Sequence, residues 1–268
     1  MYKFLRYPYF CYITLLCVLL ALANPPLLGA DGTELPSLEY LRQKHIEYSN
    51  FSNQNLNSFY LSGRIKIFSG EEIIDSVIKV FKKKPNKLKS IFEQSIGENL
   101  LKVVTVYDGK QGVRLEYFND VFHSKELLEG DSLKALEFES YIKGIFLRAS
   151  ENKGVLEVDG FETINGVECV RLSVTGLGFY KIDTIWLRLD NFQEAKYRSL
   201  KKNSGEAFDV EEVFFGDYVA TDSGRLYAQS NEKYVNDFLA YTFQADYIKF
   251  NFGLFNSFFK IEEITPDN

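Results

Sequence analysis

From Phe59 onward the chain alternates. Phe59, Leu61, Ile65 and Ile67 fall on one side of an extended backbone, and Tyr60, Ser62, Arg64 and Lys66 fall on the other. A period of two is the mark of a strand with one buried face. The same pattern recurs over Ile74–Lys82, Lys87–Gln94, Leu101–Tyr107 and Val113–Phe118. Pro85-Asn86 and Asp108-Gly109 stand between members of the series, where turn chemistry favours them. Such short links make neighbouring strands antiparallel.

The alternation stops at Asn119. Between Ser124 and Ser150 the spacing becomes helical: Phe138, Tyr141, Ile142, Ile145, Phe146 and Ala149 recur at threes and fours. Leu127 and Leu128 precede a break at Gly130, so this insertion reads as one good helix with a shorter one before it. Strand patterns then return over Gly154–Thr163, Val167–Thr175, Lys181–Asp190, Glu194–Lys201, Glu206–Tyr218, Arg225–Glu232 and Phe238–Phe250. Asn165-Gly166 is a strong hairpin signal among them and Asn203-Ser204-Gly205 a looser one. Pro85 is the only proline between Ser37 and Thr265, which suits long unbroken strands. An amphipathic segment, Ser37–Ser49, carries Leu38, Leu41, His45 and Tyr48 on one helical face, with Pro36 and Ser37 as start signals.

About a dozen consecutive antiparallel strands cannot remain flat, because strand twist accumulates and large sheets curl. The expected fold is mainly β with helices (α+β): an unclosed antiparallel β-barrel with a helical lid over its concave face. No fixed-period repeat or second domain is visible, so residues 31–268 are expected to form one domain, with the helical insertion around 124–150.

The first 30 of the 268 residues read as a secretory signal. They hold Lys3 and Arg6, no acid, the apolar run Cys11–Ala21, and the small residues Gly29-Ala30. Cleavage after Ala23 is the alternative. Removing Lys3 and Arg6 leaves 29 basic against 37 acidic residues, a charge of −8, which disfavours nucleic acid as a partner. Cys11 and Cys17 leave with the signal and are not placed for lipid attachment. Cys169 alone remains, so no internal disulfide is expected. After the signal no stretch has the ~20 apolar residues that cross a bilayer as a helix.

Catalytic patterns are weak. With His45, His123 and Cys169 on separate segments, a zinc site lacks donors; His45 reads as packed or at the surface, His123 as a strand-to-helix junction residue and Cys169 as a small strand residue. No Gly-x-Ser-x-Gly elbow occurs, and Gly176-Leu177-Gly178 has no following helix to make a dinucleotide site. Glu71-Glu72 and Glu211-Glu212 are doublets on strands, so the two members of each point to opposite faces and cannot converge. Lys82-Lys83-Lys84, with Lys87 and Lys89, is the strongest charge cluster. It reads as a solvated hairpin tip, with contact to anionic headgroups as the sharper alternative. Asn50-Phe51-Ser52 has the form of a glycosylation sequon.

Several segments, in order, resemble the LolA-like family of periplasmic lipoprotein carriers and outer-membrane lipoprotein-sorting proteins. These are Lys84-Pro85-Asn86-Lys87-Leu88, Asp108-Gly109-Lys110, Asn165-Gly166-Val167-Glu168-Cys169, Ile185-Trp186-Leu187-Arg188-Leu189-Asp190 and Phe214-Phe215-Gly216-Asp217-Tyr218. The resemblance covers most of Leu38–Phe259. It implies a periplasmic, non-catalytic carrier of the acyl chains of lipoproteins or lipids, monomeric, without a cofactor or metal, and served by inner- and outer-membrane lipoprotein-handling proteins. The aromatic tail Phe250–Phe259 departs from the family pattern and points to another lipid ligand or to sensing of lipidated proteins. The expected cavity and lid residues are Leu61, Ile65, Phe92, Leu136, Phe138, Ile142, Ile145, Leu172 and Leu187. Two readings compete with the carrier: a secreted interaction or envelope-stress-sensing module with a filled core and, less favoured, a hydrolase.

Overall fold

The computed structural model describes residues 34–49, 56–151, 154–176, 181–202, 207–222 and 224–261. The signal segment, the sequon at Asn50-Phe51-Ser52, most of the Gly176-Leu177-Gly178 run and the Asn203-Ser204-Gly205 turn lie outside the described residues. Helix α1 is Leu38–Tyr48, opened by Ser37, whose hydroxyl accepts the Tyr40 amide hydrogen at 3.2 Å. Six strands follow: β1 Ser58–Ser69, β2 Glu72–Lys83, β3 Lys87–Ile96, β4 Asn99–Tyr107, β5 Gly112–Phe118 and β6 Val121–Leu128. Helices α2 (Gly130–Glu139) and α3 (Ile145–Glu151) come next. The second half holds β7 Val155–Ile164, β8 Val167–Thr175, β9 Lys181–Arg188, β10 Glu194–Lys202, β11 Phe208–Phe215, β12 Tyr218–Ala220, β13 Leu226–Ala228, β14 Ser230–Val235 and β15 Phe238–Phe250. A short 3₁₀ turn, Asn256–Phe259, ends the described chain.

Thirteen strands form one antiparallel sheet in the order β6-β5-β4-β3-β2-β1-β15-β14-β11-β10-β9-β8-β7, not closed into a barrel. The order explains the architecture. The last strand pairs with the first at the centre, with Phe59 opposite Phe250 and Ile65 opposite Phe243. The two free edges, β6 and β7, are successive in sequence. The chain must therefore cross from one edge to the other between them, and α2 and α3 make that crossing over one face of the sheet.

Register defines that face. Phe59, Lys82, Leu88, Tyr107, Gly112 and Leu128 stand opposite one another across β1 to β6. Leu136 and Leu133 of α2 pack on Leu88, Tyr107 and Leu128. Gly112 permits this approach, since a Cβ there would sit 2.7 Å from Leu136 Cδ1. In the second half, Leu41 of α1 and Phe146, Leu147 and Ala149 of α3 join Val170, Leu172, Ile185 and Leu187 in the largest buried cluster. At ~1.5–3 kcal/mol for each large apolar side chain fully buried, such clusters hold the helices down.

The opposite face differs between the halves. Over β2 to β5 it is also apolar, and the tail covers it: Leu254, Phe258, Phe259 and Ile261 pack on Phe81, Ile91, Val104, Val106, Val113 and Leu115. Over β7 to β11 it mixes ion pairs, Lys196–Glu212 at 2.7 Å and Arg198–Asp183 at 3.0 Å, with a small apolar cluster of Ile164, Cys169, Trp186 and Ala195.

Three expectations about element boundaries are corrected. The meander does not stop at Asn119: β6 runs to Leu128, so the helical insertion begins at Gly130, and His123 lies mid-strand and exposed. The single helix through Phe138–Ala149 is two helices, because the chain leaves the helix at Ser140 and Gly144 adopts a φ of +92°. The segments expected as single strands over Glu206–Tyr218 and Arg225–Glu232 split, since β12 and β13 leave the main sheet as a separate hairpin.

Candidate functional site

The break between α2 and α3 roofs a cavity of about 260 Å³. Its roof is Phe138, Glu139, Tyr141, Ile142, Lys143, Gly144, Ile145 and Arg148. Its floor is Lys82, Tyr197, Val213, Phe215, Asn231 and Tyr241, its sides His45, Gln193, Glu194 and the β12–β13 hairpin with Tyr218, Leu226, Tyr227 and Ala228. Floor residues follow from the pairing: Tyr197 stands opposite Val213, Phe215 opposite Asn231, and Asn231 opposite Phe243.

The roof is pinned from several sides. The Phe146 amide donates to Glu194 Oε1 at 3.1 Å. Arg148 donates to the Phe138 carbonyl at 2.7 Å and stacks 4.2 Å from the Phe138 ring. Lys143 pairs with Glu151 at 2.7 Å, and the Tyr141 hydroxyl donates to the same carboxylate. Lys82 Nζ donates to the Tyr141 carbonyl at 3.2 Å.

Electrostatics inside are unusual for an apolar hollow. Desolvation pulls the Lys82 ammonium down to about 8, with Glu139 opposing that shift and Arg148 adding to it. Glu139 reaches solvent through the mouth, yet protein encloses it, and that desolvation raises its carboxyl above the usual range against the pull of Lys82 and Lys233. Burial pushes Tyr241 up to about 12 and also raises Tyr218 and Tyr227 well above the usual range, so these phenols remain protonated donors. His45 is 1% exposed; its Nδ1 donates to the Phe192 carbonyl at 2.7 Å, while its Nε2 has no hydrogen-bond partner. Asn231 Oδ1 is likewise buried and unmatched.

The nine residues chosen from the sequence are distributed as follows. Phe138, Ile142 and Ile145 line the cavity. Leu61 and Ile65 lie in an adjoining cluster against which Ile142 packs. Phe92 is half-buried, opposite Ile78. Leu136 is fixed in the cluster under α2, and Leu172 and Leu187 in the cluster under α1 and α3. The polar wall was missed: Lys82, Glu139, Glu194, Asn231 and the tyrosines. Tyr141 left a trace as part of the helical period, and Lys82 as part of the lysine run. That run separates by alternation. Lys82 enters the cavity, Lys83 donates to the Leu254 carbonyl of the tail, and Lys89 lies 4.2 Å from the Phe258 ring.

The other motifs resolve into local structure. Glu211 pairs with Lys233 and Glu212 with Lys196, on opposite faces; Glu71 and Glu72 are exposed at a hairpin tip. Cys169 is fully buried, and burial pushes its thiol up to about 11. Among the described residues no group of three or more His, Cys, Asp or Glu side chains could hold a metal ion, and no helix is long and apolar enough to cross a membrane.

The class of fold is an unclosed antiparallel sheet whose edge-to-edge crossover roofs a cavity. No protein-family model matches the chain, and no curated protein matches it in sequence. Structures do. It is similar to a DUF1329 family protein from Desulfovibrio piger (TM-score 0.57, 12% identity, 85% of this chain and 98% of that one). It is also similar to a putative outer membrane lipoprotein-sorting protein domain from Vibrio parahaemolyticus (0.55, 9%, 83% and 96%). A LolA superfamily protein from Nitrosomonas europaea gives the same score (0.55, 11%, 83% and 98%). The chain has the LolA-like fold.

Proposed function

We propose that this is a periplasmic binding or carrier protein that shelters acyl chains of lipids or lipoproteins, exported by its N-terminal segment and handed between membrane-associated lipoprotein-handling proteins. The observation that carries the reading is the cavity beneath the α2–α3 break, with Phe138, Ile142 and Ile145 in its wall. The likeness in fold to a putative outer membrane lipoprotein-sorting protein domain from Vibrio parahaemolyticus supports it. Binding of this kind needs no catalytic group. Each methylene moved from water into an apolar site contributes ~0.8 kcal/mol.

The cavity as it stands holds only part of a long chain. Scaling from the ~150 Å³ cavity that takes one benzene ring, it has room for about ten carbon atoms. More room requires the roof to lift. Ile142 packs on the cluster that contains Leu61 and Ile65, so lifting it would bare that apolar floor and extend the site along β1.

Native mass spectrometry of protein purified without detergent tests the proposal. A co-purified lipid, or uptake of a fluorescent acyl probe, is the expected result; the absence of both would refute it. The competing reading, an interaction or sensing module with a filled core, draws on the dense clusters under α1, α2 and α3, and predicts an empty spectrum.

A further inference from the structure

We propose that the cavity takes a single-chain amphiphile whose head is an anionic oxygen group, with Lys82 anchoring the head and Phe138, Ile142, Ile145 and Leu226 walling the chain. The inference rests on the binding role proposed above and narrows it to a ligand class.

Lys82 is placed by register. It stands opposite Phe59 and Leu88 on the helix-covered face, so its side chain runs under the roof. An ammonium has three hydrogens to donate. One meets the Tyr141 carbonyl at 3.2 Å, and the Phe59 ring lies 5.9 Å away, a weak contact. Among the described residues no carboxylate oxygen lies within 4 Å of it. The other charges at the cavity are engaged nearby: Lys143 with Glu151, Arg148 with the end of α2, Glu194 with the Phe146 amide. Glu139 faces the same space beyond ion-pairing distance from Lys82.

Withdrawing an ammonium from water is costly unless an anion or hydrogen bonds compensate. A carboxylate or phosphate at Lys82 would supply a charge-assisted hydrogen bond. The protonated phenols of Tyr227 and Tyr241, both in the wall, are further donors for it. The lining is polar beyond Lys82: Asn231 Oδ1 and His45 Nε2 are buried without partners in residues that border this cavity, and as acceptors they suit a hydroxyl or a water beside the head, not its anionic oxygens. A cavity meant only for hydrocarbon would leave such atoms elsewhere. The volume then sets the chain: about ten carbons with the roof in place.

Isothermal titration of the full mature protein with decanoate, decyl phosphate, decanol and decyltrimethylammonium tests this. The two anions should bind about tenfold or more tighter than decanol, the gain expected of one charge-assisted contact. Their relative order tells a carboxylate source from a phosphate one. Lys82→Met should abolish the preference, bringing the anions to no more than the affinity of decanol. Glu139→Gln, which removes one of the two carboxylates that line the cavity, should tighten decanoate binding by about threefold or more. Equal binding of decanol and decanoate, or preference for the cationic amphiphile, overturns the headgroup assignment while the acyl reading stands. Failure of all four overturns both. Should Lys82→Met not fold, unchanged decanoate affinity in Glu139→Gln is the overturning result.

Discussion

Glu194 Oε1, at the start of β10, accepts the backbone hydrogen of Phe146 in α3 at 3.1 Å, and Glu194 is only 6% exposed. The sheet thereby caps the helix that roofs it. Tyr218 closes the arrangement by donating to the Glu194 carbonyl at 2.9 Å.

Glu194→Ala leaves a buried amide without its acceptor. Such losses cost ~1–3 kcal/mol, with ~2–4 °C of melting temperature per kcal/mol in a chain of this size. Thermal unfolding should show that decrease. Uptake of an acyl probe should also become faster, because the roof is held by one contact fewer.

Gly144→Ala strains the same joint for two reasons. Gly144 has a φ of +92°, and a Cβ there would lie 2.8 Å from Glu194 Oε1. A loss of ~1–2 kcal/mol is expected in chemical denaturation. Combined with Glu194→Ala the two losses should sum to less than their separate values, since removing the carboxylate removes the clash.

Lys82→Met should stabilise the ligand-free protein at pH 7, by an amount on the order of a few kcal/mol at most. The folded pKa of Lys82, about 8, lies below its ordinary value of 10.5. Between those values the unfolded chain binds more protons than the folded one, so stability rises with pH. The cost of the buried charge is therefore complete below pH 8 and is relieved as pH climbs toward 10.5. The melting-temperature gap between Lys82→Met and wild type should narrow from pH 7 to pH 9.5. A constant gap would contradict this account.

Phe259→Ala tests the tail. Phe259 is fully buried against the back of β4 and β5, with Phe258 edge-on at 5.4 Å. Truncations of buried Phe cost ~3–5 kcal/mol. Equilibrium denaturation should reveal that loss, and an apolar dye should bind the uncovered back of the sheet.

Cys169 should resist thiol reagents at pH 8 in the folded protein and react fully once denatured, because the thiolate is the reactive form and burial suppresses it. Absorbance of the released reagent measures this directly.

Strands were legible because their cause is local. A side chain's side of the sheet follows from its parity, and Phe59, Leu61 and Ile65 declare it without reference to anything distant. The Ser37 cap of α1 and the Asn165-Gly166 turn were legible for the same reason. The edge strand β6 was not. Val121, Lys125, Glu126 and Leu127 are all exposed, so the alternation that marks a half-buried strand is absent, and Leu127-Leu128 imitated a helix. The helical period across Phe138–Ala149 misled differently. It persists through the break because Ile142, in the linker, and Phe146, in α3, both address the same sheet face; Gly144, inside the pattern, was the available sign of interruption.

The amino-acid order by itself determined a long antiparallel meander interrupted by helical segments, since hydrophobic periodicity and turn chemistry act within a few residues. Only the tertiary structure decided that β15 returns to pair with β1, that the aromatic tail covers the back of the early strands, and that Lys82, Glu139, Asn231 and four tyrosines of the floor and side walls border one cavity. Those juxtapositions join positions up to about 190 residues apart, such as Phe59 and Phe250. Long-range pairing and desolvation create them, and neither leaves a local trace in the chain.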